Sequence, residues 1–184
     1  MSRSPIVVTG LGAVSGLGTS VDATWTRALA GRHAFADVTI FATTTHRTSL
    51  AGEVTDTAAL VTARGLSRAE RFACTAARDA VHGLPAAALR TDRAGVFFGS
   101  STGALLEGEE FVAALLRGEE GRLAPLAAQQ NDGPGTAVAR WLGVRGPVVN
   151  SSTACTSANV AFALALDALR SGEIDVAVAG GADE

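Results

Sequence analysis

The chain has 184 residues, a formal net charge of −3 and 47% hydrophobic side chains, enough length for one globular domain with a buried core. A charge this close to neutral does not invite nucleic acid or an anionic membrane. All 15 Lys+Arg residues are arginine, which excludes the lysine of a phosphate-binding P-loop and of an internal Schiff base.

Pro5 to Thr9 is a short apolar run ending at Gly10 and predicts a buried strand. A glycine-rich turn follows, from Gly10 to Gly18. Ser20 then caps a helix over Val21 to Ala30, with Asp22 in its first turn and Gly31 after its end. Residues 32–48 have no clear period and predict a surface excursion. Ser49 to Val54 is a candidate strand. Ser67-Arg68-Ala69-Glu70 matches a capping box and starts a helix to about Val81, with Phe72, Ala73, Ala76, Ala77 and Val81 on one face.

Ala94 to Phe98 is the next strand, stopped by Gly99, and a helix covers Ala104 to Leu116. Asn131 to Leu142 predicts a weaker helix, interrupted early by Gly133-Pro134. Pro147 to Asn150 reads as a strand, Thr156 to Leu169 as a small-residue helix ended by Ser171-Gly172, and Ile174 to Ala179 as a fifth strand. Apolar strands alternating with helices argue for an α/β class with a largely buried sheet. No basic-apolar signal opens the chain and no apolar run reaches spanning length. Cys74 and Cys155 offer no disulfide framework, so a reducing cytoplasm is the expected compartment.

Cys155 lies in Thr153-Ala154-Cys155-Thr156-Ser157-Ala158, between an apolar strand and an apolar helix. A sulfur at such a turn is near the positive end of the helix dipole, which favours thiolate and suits a nucleophile. A lone cysteine in an apolar stretch is otherwise a small core residue, and that is how Cys74 is read. His33, His46 and His82 read as surface or loop residues. Glu107, Glu109, Glu110, Glu119 and Glu120 read as a solvated helix face and loop. They have no His or Cys at ligand spacing, so no metal site is expected. Gly10-Leu11-Gly12 lacks the third glycine and the later acidic residue of a dinucleotide fingerprint, so it reads as a tight turn.

These motifs resemble, from end to end, the N-terminal half of a β-ketoacyl-acyl-carrier-protein synthase, a ketosynthase of the thiolase-like fold. Val7-Val8-Thr9-Gly10-Leu11-Gly12 opens the chain as the family does, and Trp25 and Leu29-Ala30-Gly31 follow at the usual distance. Gly99-Ser100-Ser101-Thr102-Gly103, Gly143-Val144-Arg145-Gly146-Pro147 and Ala179-Gly180-Gly181-Ala182 match in order, with Thr153 to Ala158 as the nucleophile turn. The resemblance implies that residues 1–184 form a ketosynthase N-terminal domain: one mixed five-stranded sheet with helices and a largely buried helix after the cysteine. It implies that Cys155 takes an acyl group from an acyl carrier protein, before decarboxylative Claisen condensation with a malonyl thioester in fatty-acid or type II polyketide synthesis. The Cys155 N–H would form part of an oxyanion hole. No cofactor is implied beyond the phosphopantetheine arm of the carrier.

By the same resemblance Thr102 lines the acyl pocket, with a plain turn residue as the competing reading. Arg64, Arg68 and Arg71 would dock the acidic carrier protein, with ordinary surface arginines as the alternative. Leu123 to Asn131 resembles the segment that reaches a dimer partner's acyl pocket. The strand Pro147 to Asn150 would pair about a two-fold axis. The family's two histidines and its lysine belong to a C-terminal half that this sequence does not include. The helix from Ala158 to Leu166 is apolar nearly all round, so one sheet alone would leave a face bare. The expected state is therefore half of a split ketosynthase, joined by a C-terminal ketosynthase half into a dimer of heterodimers. The rival expectation is a non-catalytic scaffold subunit of a synthase complex.

Overall fold

A computed structural model describes residues 5–119, 126 and 129–184. Its centre is β3 (Ala94–Gly99), buried at every residue and flanked by two parallel neighbours, β4 (Val148–Ser151) and β5 (Val176–Gly181). Parallel strands need crossovers and covered faces, and β3 supplies side chains to both. Val96 and Phe98 point to one face. There they meet Ala73, Cys74 and Ala77 of α2 (Arg68–Ala80) and Ala137, Val138 and Ala139 of α5 (Gly133–Leu142). Phe97 points to the other face, towards Ala161, Ala165 and Ala168 of α6 (Ser157–Ser171).

The predicted capping box is formed: Ser67 Oγ accepts from the Glu70 N–H at 3.1 Å, and Glu70 Oε2 accepts from the Ser67 N–H at 2.7 Å. Further helices are α1 (Val21–Leu29), capped by Ser20, a single turn α3 (Ala86–Leu89), and α4 (Leu105–Leu116). Pro134 does not interrupt α5 but lies in its first turn, where a missing N–H has no intrahelical acceptor to lose.

The α/β class and the half-fold are as expected, but the sheet is not five-stranded among the described residues. It has three parallel strands. The segment expected as a surface excursion holds β1 (Ala36–Asp37), which pairs antiparallel with β2 (Leu50–Ala51) as a separate ribbon. The run Pro5 to Thr9 joins no ladder among the described residues, and Val8 is 80% exposed. Its continuation is pressed onto α2 instead: a Cβ on Gly10 or Gly12 would strike the carbonyl oxygens of Ala80 and Ala76. A short apolar run has the same pattern whether it pairs with a strand or lies across a helix, so periodicity alone cannot choose.

The bare face is present. The inner residues of α6 are alanines against the sheet, while Phe162 on its outer side is 54% exposed and Leu164 is exposed as well. No helix among the described residues is long and apolar enough to cross a membrane.

Candidate functional site

The three strands end together. Gly99 is in register with Ser151 on one side and Gly181 on the other, so the segments that leave β3, β4 and β5 converge at the carboxyl edge of the sheet. This is where open parallel sheets hold their ligands. Gly99 lets α6 start close by, because a Cβ there would collide with the backbone of Ser157 and Ala158.

Cys155 is exposed and stands immediately before Thr156, the N-cap of α6. The turn that presents it is strained. Ala154 has φ 54°, and it is the one non-glycine residue with positive φ among the described residues. Its carbonyl oxygen accepts from Ser157 Oγ at 2.7 Å, from Ser101 Oγ at 2.9 Å and from the Ser157 N–H at 3.0 Å. Ser157 Oγ also accepts from the Thr153 N–H at 2.9 Å. The hydroxyl of Thr156 donates to Thr153 O at 2.7 Å, closing the turn from its other side.

The turn after β3 is held by a carboxylate that the sequence did not single out. Asp183 Oδ1 accepts from Ser100 Oγ and the Ser101 N–H at 2.8 Å, from the Thr102 N–H at 2.9 Å and from Thr102 Oγ1 at 3.0 Å. Burial raises the pKa of this carboxyl, but the donors on Thr102, Ser100 and Ser101 outweigh it and keep the group below the ordinary carboxylate range. Thr102 is thus placed beside the cysteine turn through Ser101, with its own hydroxyl engaged by Asp183. No local sequence signal marks this contact: Asp183 is more than 80 residues away from its partners.

Glu184 lies next to it and faces the other way. Its Oε2 accepts from the Ala69 N–H and its Oε1 from the Leu106 N–H, both at 3.1 Å, joining the first turns of α2 and α4. Burial and then the neighbouring Glu107 push its pKa up to about 7. Glu107 corrects the expectation of a solvated face. Its Oε1 accepts from the Arg68 N–H at 3.0 Å, and its Oε2 is buried without a partner.

Arg64, Arg68 and Arg71 do not form one cluster. Arg64 and Arg71 border a shallow hollow of about 390 Å³. Arg68 turns away, donating to Val54 O at 3.0 Å and stacking 5.0 Å from the centre of the Phe72 ring. Arg71 donates to Val61 O and Thr57 O, both at 3.2 Å, so part of its donor set already holds the preceding loop. His33, His46 and His82 are exposed as expected. Cys74 is fully buried, and burial followed by the Glu70 carboxylate pushes its thiol up to about 11. Residues 123–125, 127 and 128 of the segment compared with a dimer contact lie outside the described residues. No group of His, Cys, Asp and Glu able to hold a metal ion occurs among the described residues.

An α/β domain with an exposed thiol on a strained turn, between a parallel strand and its helix, has the build of a nucleophile-bearing half-fold. The family described as Beta-ketoacyl synthase, N-terminal domain, matches residues 3–184, and the chain belongs to it. It is similar to the ishigamide ketosynthase/chain length factor, with a TM-score of 0.89 and 28% identity over 99% of this chain and 48% of that one. It is 30% identical to nodulation protein E of Rhizobium sp. (strain N33), over 97% of this chain and 46% of that protein. It is 29% identical to 3-oxoacyl-[acyl-carrier-protein] synthase 2 of Staphylococcus aureus (strain COL), over 97% of this chain and 45% of that protein. The chain therefore spans about half the length of the curated relatives it matches.

Proposed function

We propose that this chain is the cysteine-bearing half of a ketosynthase and takes an acyl group from an acyl carrier protein onto Cys155. The observation that carries this reading is the exposed Cys155 on a hydroxyl-braced turn at the carboxyl edge of the sheet. In the loading step the Cys155 thiolate attacks the thioester carbonyl. The C–S bond to the carrier's phosphopantetheine breaks, and the carrier thiolate leaves to take up a proton. A backbone N–H at Cys155 would stabilise the oxyanion formed on the way. Condensation with a malonyl thioester then needs groups that promote loss of carbon dioxide and stabilise the carbanion. On this reading the other half of the family fold brings those groups, two histidines and a lysine.

The exposed outer side of α6, with Phe162 and Leu164, supports a covering half-fold of this kind. β4 is an edge strand of its sheet, which leaves it open to pair with the same strand of a second copy and so to build a dimer of heterodimers. Thr102 is retained as a residue beside the acyl group. The carrier protein would approach the side bearing Arg64 and Arg71, which face it from their common hollow, while Arg68 is turned to Val54 and Phe72. A relative whose name includes 3-oxoacyl-[acyl-carrier-protein] supports the same substrate class.

Intact mass of the chain after incubation with an acyl-carrier thioester, with and without a candidate second half, tests the reading. A gain equal to the acyl group, dependent on the partner and lost in Cys155→Ala, is expected. No gain with the partner bound and the chain folded would leave a scaffold subunit as the better description.

A further inference from the structure

Cys155 is presented by a backbone conformation that its own sequence does not favour. Ala154 at φ 54° carries a side chain in the left-handed region, where an L-residue is held at a cost of about 1–2 kcal/mol. Something must hold it there, and local bonds supply only part of the restraint. Ser157 reaches Ala154 from within the same turn. Ser101 reaches it from a different strand end, 53 residues away.

Ser101 is itself aimed by Asp183. Both Ser101 N–H and Thr102 N–H donate to the same carboxylate oxygen, and so do the hydroxyls of Ser100 and Thr102. Four donors on one oxygen fix the backbone of the turn, and the one hydroxyl of the three that is not spent on Asp183 is that of Ser101. It donates to Ala154 O. Ser100 Oγ also accepts from the Gly103 N–H at 3.0 Å, so the turn is closed on itself. The Asp183 backbone is in turn anchored close by: the Ala182 N–H donates to Gly99 O at 3.1 Å, extending the β5 pairing by one residue.

We infer that Asp183 is a positioning residue, which holds the Ser100–Thr102 turn so that Ser101 clamps Ala154 in its left-handed conformation and presents Cys155 outwards. Its hydrogen bonds go to Ser100, Ser101 and Thr102 and not to the Cys155 thiol. It acts through Ser101 and Ala154, and it sits where the third strand of the sheet delivers it. The inference rests on Cys155 being the reactive thiol, but it concerns the geometry of the turn rather than the acyl group loaded there.

The test is alkylation of the full chain with iodoacetamide, followed by peptide mass analysis of Cys155 and Cys74 separately. Cys74 is fully buried and serves as the internal report of folding. In Asp183→Ala the Cys155 rate is expected to fall about tenfold, the scale of releasing one strained backbone residue, while Cys74 stays protected. Asp183→Asn keeps an acceptor oxygen at the same place and is expected to retain most of the rate. The decisive variant is Ala154→Gly, since glycine adopts positive φ without steric cost. In that background the loss caused by Asp183→Ala should shrink to less than about threefold. A general structural role for Asp183 would not be relieved by a glycine at 154. Should Asp183→Ala expose Cys74, Ser101→Ala replaces it, because it removes the clamp and leaves the carboxylate in place. An unchanged Cys155 rate in a folded variant, or an equal loss with and without Ala154→Gly, overturns the inference. Iodoacetamide needs no carrier and no partner. Asp183-dependent alkylation without acyl loading would therefore sink the proposed function and leave the positioning role standing.

Discussion

Two helices flank the central strand, and they are finished to different degrees. On one face α2 packs beside α5, begins with a complete capping box, and buries Phe72, Ala73, Cys74 and Ala77. On the other face α6 is the one helix against the sheet among the described residues, its N-cap Thr156 makes no side-chain cap bond, and only small residues are buried. Its outer side shows Phe162 to solvent. Both helices follow the same rule on the side that meets the sheet, with small residues at helical spacing. They differ on the side that does not. The α2 face carries its own covering, and the outer side of α6 is left to solvent among the described residues. The cysteines follow the same division: Cys74 is sealed inside the finished face and Cys155 is held out at the start of the open one.

Truncation on the two faces should separate them clearly. Phe98→Ala removes a ring from the cluster with α2 and α5, and should cost about 3–5 kcal/mol in urea denaturation of the chain. A cost below about 1 kcal/mol would mean that this face is less tightly packed than its burial indicates. The helix starts give the next contrast. Ser67→Ala breaks the capping box and should destabilise the chain by about 1 kcal/mol in the same assay. Thr156→Ala, at a start without a side-chain cap bond, should cost less than Ser67→Ala.

The adjacent carboxyls at the end of β5 divide by pH in the same way. Glu184 ties the starts of α2 and α4, and its folded pKa is raised to about 7 by burial and then by Glu107. A raised carboxyl stabilises the fold fully below its unfolded value and loses that contribution as pH rises through about 7. With solvent screening the loss is on the order of 1 kcal/mol. Asp183 has the opposite sign. Its lowered pKa gives a contribution present above the usual aspartate range and lost as pH falls through the folded value. The urea midpoint should therefore decline from pH 5 to 8 in the parent chain and much less in Glu184→Gln. A decline of equal size in both would remove the role given to the Glu107–Glu184 pair.

On the open face, Phe162→Ser should change stability by less than about 0.5 kcal/mol, since the ring is half in water already. It should nevertheless reduce self-association of the isolated chain in sedimentation velocity, because it removes apolar surface that has no partner. Equal sedimentation of both proteins would show that α6 does not drive association.

Much of this was legible in the residues. The capping box at Ser67, the buried strand at Ala94 to Phe98, the small-residue helix after Cys155 and the thiol on its turn all depend on local chemistry, and each is found within about two residues of its expected limits. Pro5 to Thr9 was misjudged because a short apolar stretch carries no information about what lies beside it. Glu107 was misjudged because its neighbours in sequence, Glu109 and Glu110, are exposed while it turns inwards to Arg68 and Glu184. The resemblance groups the three arginines, yet Arg68 leaves the hollow shared by Arg64 and Arg71.

Propensity, capping and hydrophobic period act over a few residues, so the chain alone decided which segments become helices and strands and where its exposed thiol would stand. The partners of that thiol's turn were decided by the register of three parallel strands. That register brings Gly99, Ser151 and Gly181 level, and so places Ser101, Ala154 and Asp183 within hydrogen-bonding reach. Contacts across more than 50 residues leave no periodic trace, because each side chain looks locally like an ordinary turn residue until the sheet assembles.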